Sequence, residues 1–233
     1  MRAVIVKTGS TMPHLASRRG DYEDWIADGM GVRDAIVCHV AEGAELPALG
    51  AVDAIVVTGS SAMVTDREPW SVRTGEWLGE AVTRGKPTLG ICYGHQLMAA
   101  TLGGEVGPNA RGREIGQVEV TLTEAGRADP LLSALPSPAR VSSSHRQCVV
   151  RLPDGAVLLA EGAAERHQAF RVGERAWGVQ FHPEWDAEVI RAYVESRRET
   201  LRGEGLDPDR IEREIEANDN GPILLRRFAE LAR

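Results

Sequence analysis

The sequence predicts an α/β protein: a three-layer, open, mostly parallel sheet with helices on both faces, a small antiparallel strand set and C-terminal helices. Three observations carry this expectation. Short β-branched runs alternate with helical patterns over the first hundred residues. Past Gly103-Gly104 the pattern changes to strict two-residue alternation, and the tail is helical and amphipathic.

The strand runs are Ala3–Val6, Ala35–Val40, Ala54–Val57 and Thr88–Ile91, each short and apolar enough for a buried parallel strand. Between them, residues 22–27 read as a short helix. Residues 70–84 place Trp70, Trp77, Leu78, Ala81 and Val82 on one helical face, although Gly75 and Gly79 weaken the pattern. Gln117–Thr123 alternates and predicts a half-solvated, antiparallel strand. Ala156–Ala160, His167–Val172 and Ala176–Phe181 read as further strands, with a loop at Pro136 and Pro138. Residues 186–202 are expected as one helix. Asp207-Pro208 reads as an N-cap followed by Pro at the first helical position, with Ile211 and Ile215 one turn apart behind it. Residues 222–232 supply a last helix through Ile223, Leu224, Phe228 and Leu231. The expected organisation is one domain over residues 1–202 and a helical extension over 203–233 packed on it.

Composition narrows the function classes. The chain has 233 residues, 42% of them hydrophobic, enough to bury a core. A net charge of −7, with arginines interleaved among acidic residues, argues against nucleic-acid binding. No stretch has the length of a membrane span, and the N-terminus reads as a first strand rather than a leader. The three cysteines, Cys38, Cys92 and Cys148, contain no CxxC spacing, so no disulfide framework and no metal site is expected. The cytoplasm is the natural compartment for such a chain.

The most informative segment is Pro87-Thr88-Leu89-Gly90-Ile91-Cys92-Tyr93-Gly94-His95-Gln96. A strand runs into Cys92 and a helix starts behind it, with Gly90 and Gly94 two residues to either side. This is the layout of a nucleophile elbow with Cys in place of Ser. The helix N-terminus favours a thiolate and offers backbone N–H groups, that of Tyr93 first, to an oxyanion. A small buried cysteine in a strand–helix turn is the alternative, and the elbow alone does not decide between them. Cys38 and Cys148 lack these flanks and read as structural.

A thiolate nucleophile needs a proton shuttle. Among the six histidines, His182 ends the strand-like run Trp177–Phe181 and precedes Pro183 and Glu184. In extended chain, residues i and i+2 face the same side, so Glu184 can orient the His182 ring. His95 lies on the helix leaving Cys92 and is expected to point away from the thiol or along the pocket rim. His145, in Ser142-Ser143-Ser144-His145-Arg146-Gln147, reads as a loop residue lining the pocket. His39 reads as a strand end and His14 as a loop residue.

Together, Gly90–Gln96, Gly178-Val179-Gln180-Phe181-His182-Pro183-Glu184 and Thr58-Gly59-Ser60 resemble the class I glutamine amidotransferases, the family with a Cys-His-Glu triad. The resemblance covers most of residues 1–190. It implies that Cys92 attacks a glutamine side-chain amide, with His182 and Glu184 completing the triad. It also implies that the N–H groups of Gly59 and Tyr93 hold the oxyanion. By the same resemblance Gln96 helps hold the amino-acid end of the substrate, and Ser144, Arg146, Gln147 and Tyr93 fall where related domains contact that end. No cofactor or metal is implied. The segments Gly20-Asp21-Tyr22, Leu102-Gly103-Gly104 and Arg113-Glu114-Ile115-Gly116 resemble free-standing members related to the amidotransferase domain of GMP synthase.

The chain carries no P-loop or ATP-pyrophosphatase motif. An ammonia-accepting synthetase would therefore be a separate polypeptide. The alternative substrate reading is a stand-alone hydrolase of γ-glutamyl peptides or amides. The non-enzymatic alternative is a degenerate amidotransferase kept as a binding or regulatory subunit; the presence of all three triad positions and the Gly59 loop weighs against it. Another group with an elbow cysteine on a similar fold lacks the His-Pro-Glu tripeptide.

Overall fold

The computed structural model describes residues 1–233. Strands β1 (Ala3–Lys7), β2 (Ile36–His39), β3 (Ala54–Val57) and β4 (Thr88–Ile91) alternate with helices α1 (Pro13–Arg19), α2 (Tyr22–Met30) and α3 (Pro69–Thr83). Helix α4 (Tyr93–Thr101) follows β4 directly. Next come β5 (Glu105–Pro108), β6 (Glu114–Leu122), α5 (Glu124–Ala128), β7 (Ala139–His145), β8 (Gln147–Arg151), β9 (Val157–Gly162), β10 (Ala169–Val172) and β11 (Ala176–Val179). The chain ends in α6 (Ala187–Ser196), α7 (Arg198–Gly203), α8 (Pro208–Arg213) and α9 (Asn220–Leu231).

Nine strands form one sheet in the order β2-β1-β3-β4-β11-β10-β9-β6-β7. The run from β2 to β11 is parallel, and the pairings from β11 onward to β7 are antiparallel. A separate antiparallel ribbon joins β5 to β8. Alternation along each parallel strand divides its side chains between two cores. Ala3 and Ile5 of β1, with Ala54 and Val56 of β3, pack on the face that also buries Ile26, Val194 and Phe228. Val4, Val6, Ile55 and Val57 pack on the other face with Leu78 of α3 and Leu97 and Met98 of α4. Period-two apolar runs with both faces buried thus demand a helical layer on each side.

Three elements differ from the sequence reading, and the glycines of a fourth find their reason. The second strand is not buried on both faces: β2 is the sheet edge, with Ile36 and Val37 45% and 37% exposed. The glycines that weaken α3 as a helix let α4 approach, since a Cβ on Gly75 would lie 2.6 Å from Thr101 Oγ1. The single helix expected over residues 186–202 breaks at Arg197 (φ −114°, ψ 10°), and the new direction carries Leu201 into the core. The segment holding His145 is strand β7, not a loop.

Helix caps follow ordinary chemistry. Asp21 and Asp24 form a reciprocal capping box on α2, and Asp207 accepts from the N–H groups of Asp209 and Arg210 ahead of α8. Leu224, Leu225 and Phe228 of α9 are buried in the same core as α2. No helix is long and apolar enough to cross a membrane.

Candidate functional site

Strand β4 delivers Cys92 to the end of the parallel sheet, where α4 begins. Cys92 adopts φ 49° and ψ −96°; Arg67 is the one other non-glycine residue with a positive φ, and it sits in the ordinary left-handed helical region, which Cys92 does not. The neighbouring glycines make the turn possible. A Cβ on Gly90 would lie 2.5 Å from the Gly94 carbonyl oxygen, and one on Gly94 would lie 2.5 Å from that of Val57. The Cys92 N–H donates to the Val179 carbonyl at 2.8 Å, tying the elbow to β11. Such over-determined strain in a cleft residue is characteristic of functional positions.

His182 stands just beyond β11, and its N–H donates to the Ser142 carbonyl at 2.8 Å. Its Nδ1 lies 2.7 Å from Glu184 Oε1, a contact made not in extended chain, as the sequence reading assumed, but across a turn in which the Trp185 N–H donates to the His182 carbonyl at 3.3 Å. The ring stacks on Trp185 with centroids 3.7 Å apart and planes 10° from parallel. Gly59 closes on its edge: a Cβ there would lie 2.7 Å from Cε1. Burial alone would lower the proton affinity of this histidine. The Glu184 carboxylate and the Cys92 sulfur outweigh burial and push its pKa up to about 10. With Nδ1 committed to Glu184, Nε2 is the ring nitrogen left for proton exchange.

The Gly59 loop is held from behind. The Thr8 hydroxyl lies 3.0 Å from the carbonyl oxygens of both Thr58 and Gly59. Because C=O and N–H point opposite ways across a planar peptide, fixing the Thr58 carbonyl turns the Gly59 N–H away from Thr8. Neither that N–H nor the Tyr93 N–H at the start of α4 is used in turn or loop hydrogen bonds. The Tyr93 side chain points elsewhere, with its hydroxyl 2.5 Å from Ser71 Oγ and its ring 5.6 Å from that of Trp70.

Gln96, Ser144, Arg146 and Gln147 all line the same cleft as Cys92 and His182. The Gln96 amide nitrogen donates to the Gln147 carbonyl at 2.7 Å and to Gln180 Oε1 at 3.0 Å. This leaves its carbonyl oxygen as the group free to meet a ligand. Gln147 Nε2 donates to Thr65 Oγ1 at 2.6 Å. Ser144 is half-buried and Arg146 exposed.

Two histidine expectations need correction: His14 lies in α1 and His145 in β7, and neither is a loop residue. His145 ends β7, buried, with Nε2 2.9 Å from Glu114 Oε2 and Nδ1 2.9 Å from the Gln147 carbonyl. Of the two placements expected for His95, the structure has it away from the cleft and not along its rim. It is fully buried, its ring 4.8 Å from that of Phe170, and burial holds its pKa down at about 3.

The cleft encloses about 450 Å3. Its wall also includes residues not singled out as site residues from sequence: Tyr22, Trp185, Tyr193, Arg113 and Arg197. Tyr193 stacks on Trp185 at 4.1 Å and shares a 2.6 Å hydrogen bond with the Tyr22 hydroxyl. Of these, Tyr22 and Arg113 stand in segments with a recognisable resemblance, and Trp185, Tyr193 and Arg197 do not. No group of three or more His, Cys, Asp or Glu side chains is placed to hold a metal ion. A thiol at a strained elbow, an imidazole beside it and a carboxylate behind the imidazole form a set able to attack an acyl carbon and relay a proton.

Comparison with known proteins points the same way. The family model "Glutamine amidotransferase class-I" matches residues 32–195. The GMP synthase (glutamine-hydrolysing) of Aeropyrum pernix is 36% identical over 181 residues, covering 78% of this chain and 32% of that protein. The chain therefore spans about a third of the length of this relative. The γ-glutamyl-L-1-hydroxyisopropylamide hydrolase of a Pseudomonas species is 35% identical over 148 residues, covering 59% of this chain and 50% of the relative. Among solved structures, a glutamine amidotransferase from Thermotoga maritima shares the fold, with a TM-score of 0.79 at 22% identity over 99% of this chain and 97% of the other.

Proposed function

The chain belongs to the class I glutamine amidotransferase family, and from that premise we propose that it hydrolyses the side-chain amide of glutamine through a Cys92 thioester. The Cys92 sulfur attacks the γ-carbonyl carbon. The N–H groups of Gly59 and Tyr93 stabilise the oxyanion. His182 gives its proton to the nitrogen, the C–N bond breaks, and ammonia leaves. Water, deprotonated by His182, then releases glutamate and restores the thiol. Glu184 holds the ring in the orientation both steps require. The observation that carries this reading is the convergence of the strained Cys92 with a His182 ring pinned by Glu184 at 2.7 Å.

The test is ammonia and glutamate release from glutamine, with covalent labelling by a glutamine-like electrophile. Labelling confined to Cys92, with both turnover and labelling lost in Cys92→Ala, is the expected result. Absence of both in the native sequence would leave a non-catalytic binding subunit instead. A separate ammonia-accepting synthetase belongs to this reading if glutamine turns over only when a second protein is added.

A second reading, hydrolysis of larger γ-glutamyl amides or peptides by the same residues, is favoured by one specific feature. The cleft does not end at His182 but continues along Trp185 and Tyr193 to Arg197 and Thr200. Ammonia as a leaving group needs none of that space. The relation to a γ-glutamyl amide hydrolase supports the same alternative.

A further inference from the structure

A leaving amine must sit on the His182 side of Cys92, because His182 is the group that protonates it. From that ring a continuous wall runs outward. Trp185 stacks on His182 at 3.7 Å, Tyr193 on Trp185 at 4.1 Å, and the Arg197 guanidinium lies 4.7 Å over the Tyr193 ring. Arg197 sits at the break between α6 and α7, so it departs from the α6 helical face. It is half-buried and has no carboxylate partner. Its Nη1 approaches only the Tyr193 carbonyl at 3.4 Å and Ser196 Oγ at 3.2 Å.

Arg146 and Arg113 line the same cleft, and both are close enough to Arg197 to oppose its charge. Arg113 is neutralised by Glu204, with bonds of 2.7 and 2.9 Å. Arg146 forms no ion pair, and the nearby Glu114 carboxylate is occupied by His145, Gln168 and Ser143. The cleft mouth on the amine side therefore carries one half-buried guanidinium, that of Arg197, with no anion of its own. Holding a half-buried, unpaired cation is costly unless an anionic ligand completes it.

We propose that this region is an anion subsite for the amine portion of the substrate, built on Arg197, and that the preferred substrate is a γ-glutamyl peptide carrying a free C-terminal carboxylate. The inference rests on Cys92 and His182 acting as assigned above. The γ-glutamyl C–N bond breaks, the thioester forms, and the peptide leaves as its amine with the His182 proton. Water then yields glutamate and the free thiol, so that one water is consumed for each peptide released.

The experiment compares γ-Glu-Gly-Gly with its C-terminal amide, glutamine and γ-glutamyl-p-nitroanilide in steady-state kinetics. The acid peptide should exceed its amide by about tenfold or more in kcat/KM, carried mainly in KM, as one charge-assisted guanidinium–carboxylate contact allows. Arg197→Gln should collapse that acid-to-amide ratio toward one, and Arg197→Lys should retain part of it. Calorimetric binding of the same acid and amide to Cys92→Ala protein should show the same preference without turnover. Equal kcat/KM and equal binding for acid and amide would overturn the subsite. So would an Arg197→Gln effect as large on glutamine as on the acid peptide. Absence of turnover with every γ-glutamyl compound, alongside an intact acid preference in binding, would instead sink the catalytic assignment and keep the anion subsite.

Discussion

Gly59→Ala isolates the catalytic geometry from the stability of the fold. Gly59 is outside the left-handed region, so alanine fits its backbone. In purely conformational terms the change would stabilise the chain by about 0.4–1 kcal/mol through the unfolded state. The obstacle is a single contact. The added Cβ would lie 2.7 Å from His182 Cε1 and 3.6 Å from each ring nitrogen, which places it edge-on in the ring plane. That is about 1 Å inside an optimal carbon–carbon contact. The ring is stacked on Trp185 and bonded through Nδ1 to Glu184, so sliding away breaks the 2.7 Å hydrogen bond. If the loop yields instead, the Gly59 N–H leaves the oxyanion position. A misplacement of about 1 Å at a reacting group costs roughly 10²-fold, and loss of one oxyanion donor about 10²–10³-fold. A fall in kcat/KM of about 10²–10³ is therefore expected, with folding stability changed by less than about 2 kcal/mol. Glutamate release, the rate of Cys92 alkylation and a thermal melt measure the three quantities. A folded Gly59→Ala protein retaining activity within about threefold would refute the assigned geometry.

The remaining predictions concern the groups behind the site. Glu184→Gln should reduce kcat by about 10⁴-fold, since the imidazole loses the partner that sets its tautomer; a loss below about tenfold, measured on glutamine, would contradict its orienting role. The same carboxylate has a stability consequence. A histidine pushed up to about 10 in the folded protein contributes stability fully present below its unfolded value near 6.5 and lost as pH rises through about 10. Urea unfolding from pH 6 to 10 should therefore show a decline that Glu184→Gln flattens. Iodoacetamide should modify Cys92 well before Cys148, whose thiol burial and Glu165 push up to about 12, and mass mapping of the first adduct checks this. Glu114→Ala should destabilise the protein by about 2–4 kcal/mol, because it strips partners from buried His145, Gln168 and Ser143. Where it folds, it should raise KM for glutamine by loosening the segment that presents Arg146 and Gln147. Unfolding curves and KM on one preparation read both effects.

What the sequence made legible follows from how local each signal is. β3 and β4 are readable because both faces are buried, which leaves uninterrupted apolar runs. β2 has the same composition but only one neighbour, β1, and its edge position depends on a strand order that no local pattern encodes. β7 was hidden for the opposite reason. Its centre is Ser142-Ser143-Ser144, which has no apolar period. The strand exists because β6 pairs with it in register from Glu114–His145 to Val120–Ala139. The helix break at Arg197 was equally invisible, since the heptad-like apolar spacing continues across it and only the burial of Leu201 sets the new direction. Within the site, Cys92 and its glycines, and His182 with Glu184, are neighbours in sequence and could be paired by spacing. The Tyr22–Tyr193 contact spans 171 residues and the Glu114–His145 contact 31, and neither carries a motif that announces it.

Hydrogen-bond accounting, more than proximity in sequence, separates the three histidines nearest the elbow. His95 is three residues from Cys92, yet it is walled off against Phe170 and burial keeps it neutral. His145 lines the cleft and has a carboxylate partner, so by composition it matches His182. Both of its ring nitrogens face acceptor oxygens at 2.9 Å, one from Glu114 and one from the Gln147 carbonyl. A ring bound at both ends braces the chain and has no nitrogen left to exchange a proton with a ligand. His182 is bound at one end only, and the carboxylate there both fixes the ring and raises its proton affinity. Two His–Glu pairs thus sit at one cleft with different work. One holds β6 to β7 beneath the Arg146 segment, and the other leaves Nε2 free beside the thiol. Exchanging Glu114 for Gln should therefore leave the pH profile of kcat in place while shifting KM, whereas Glu184→Gln should move the profile itself. If Glu114→Gln moved the profile instead, His145 rather than His182 would be the proton carrier.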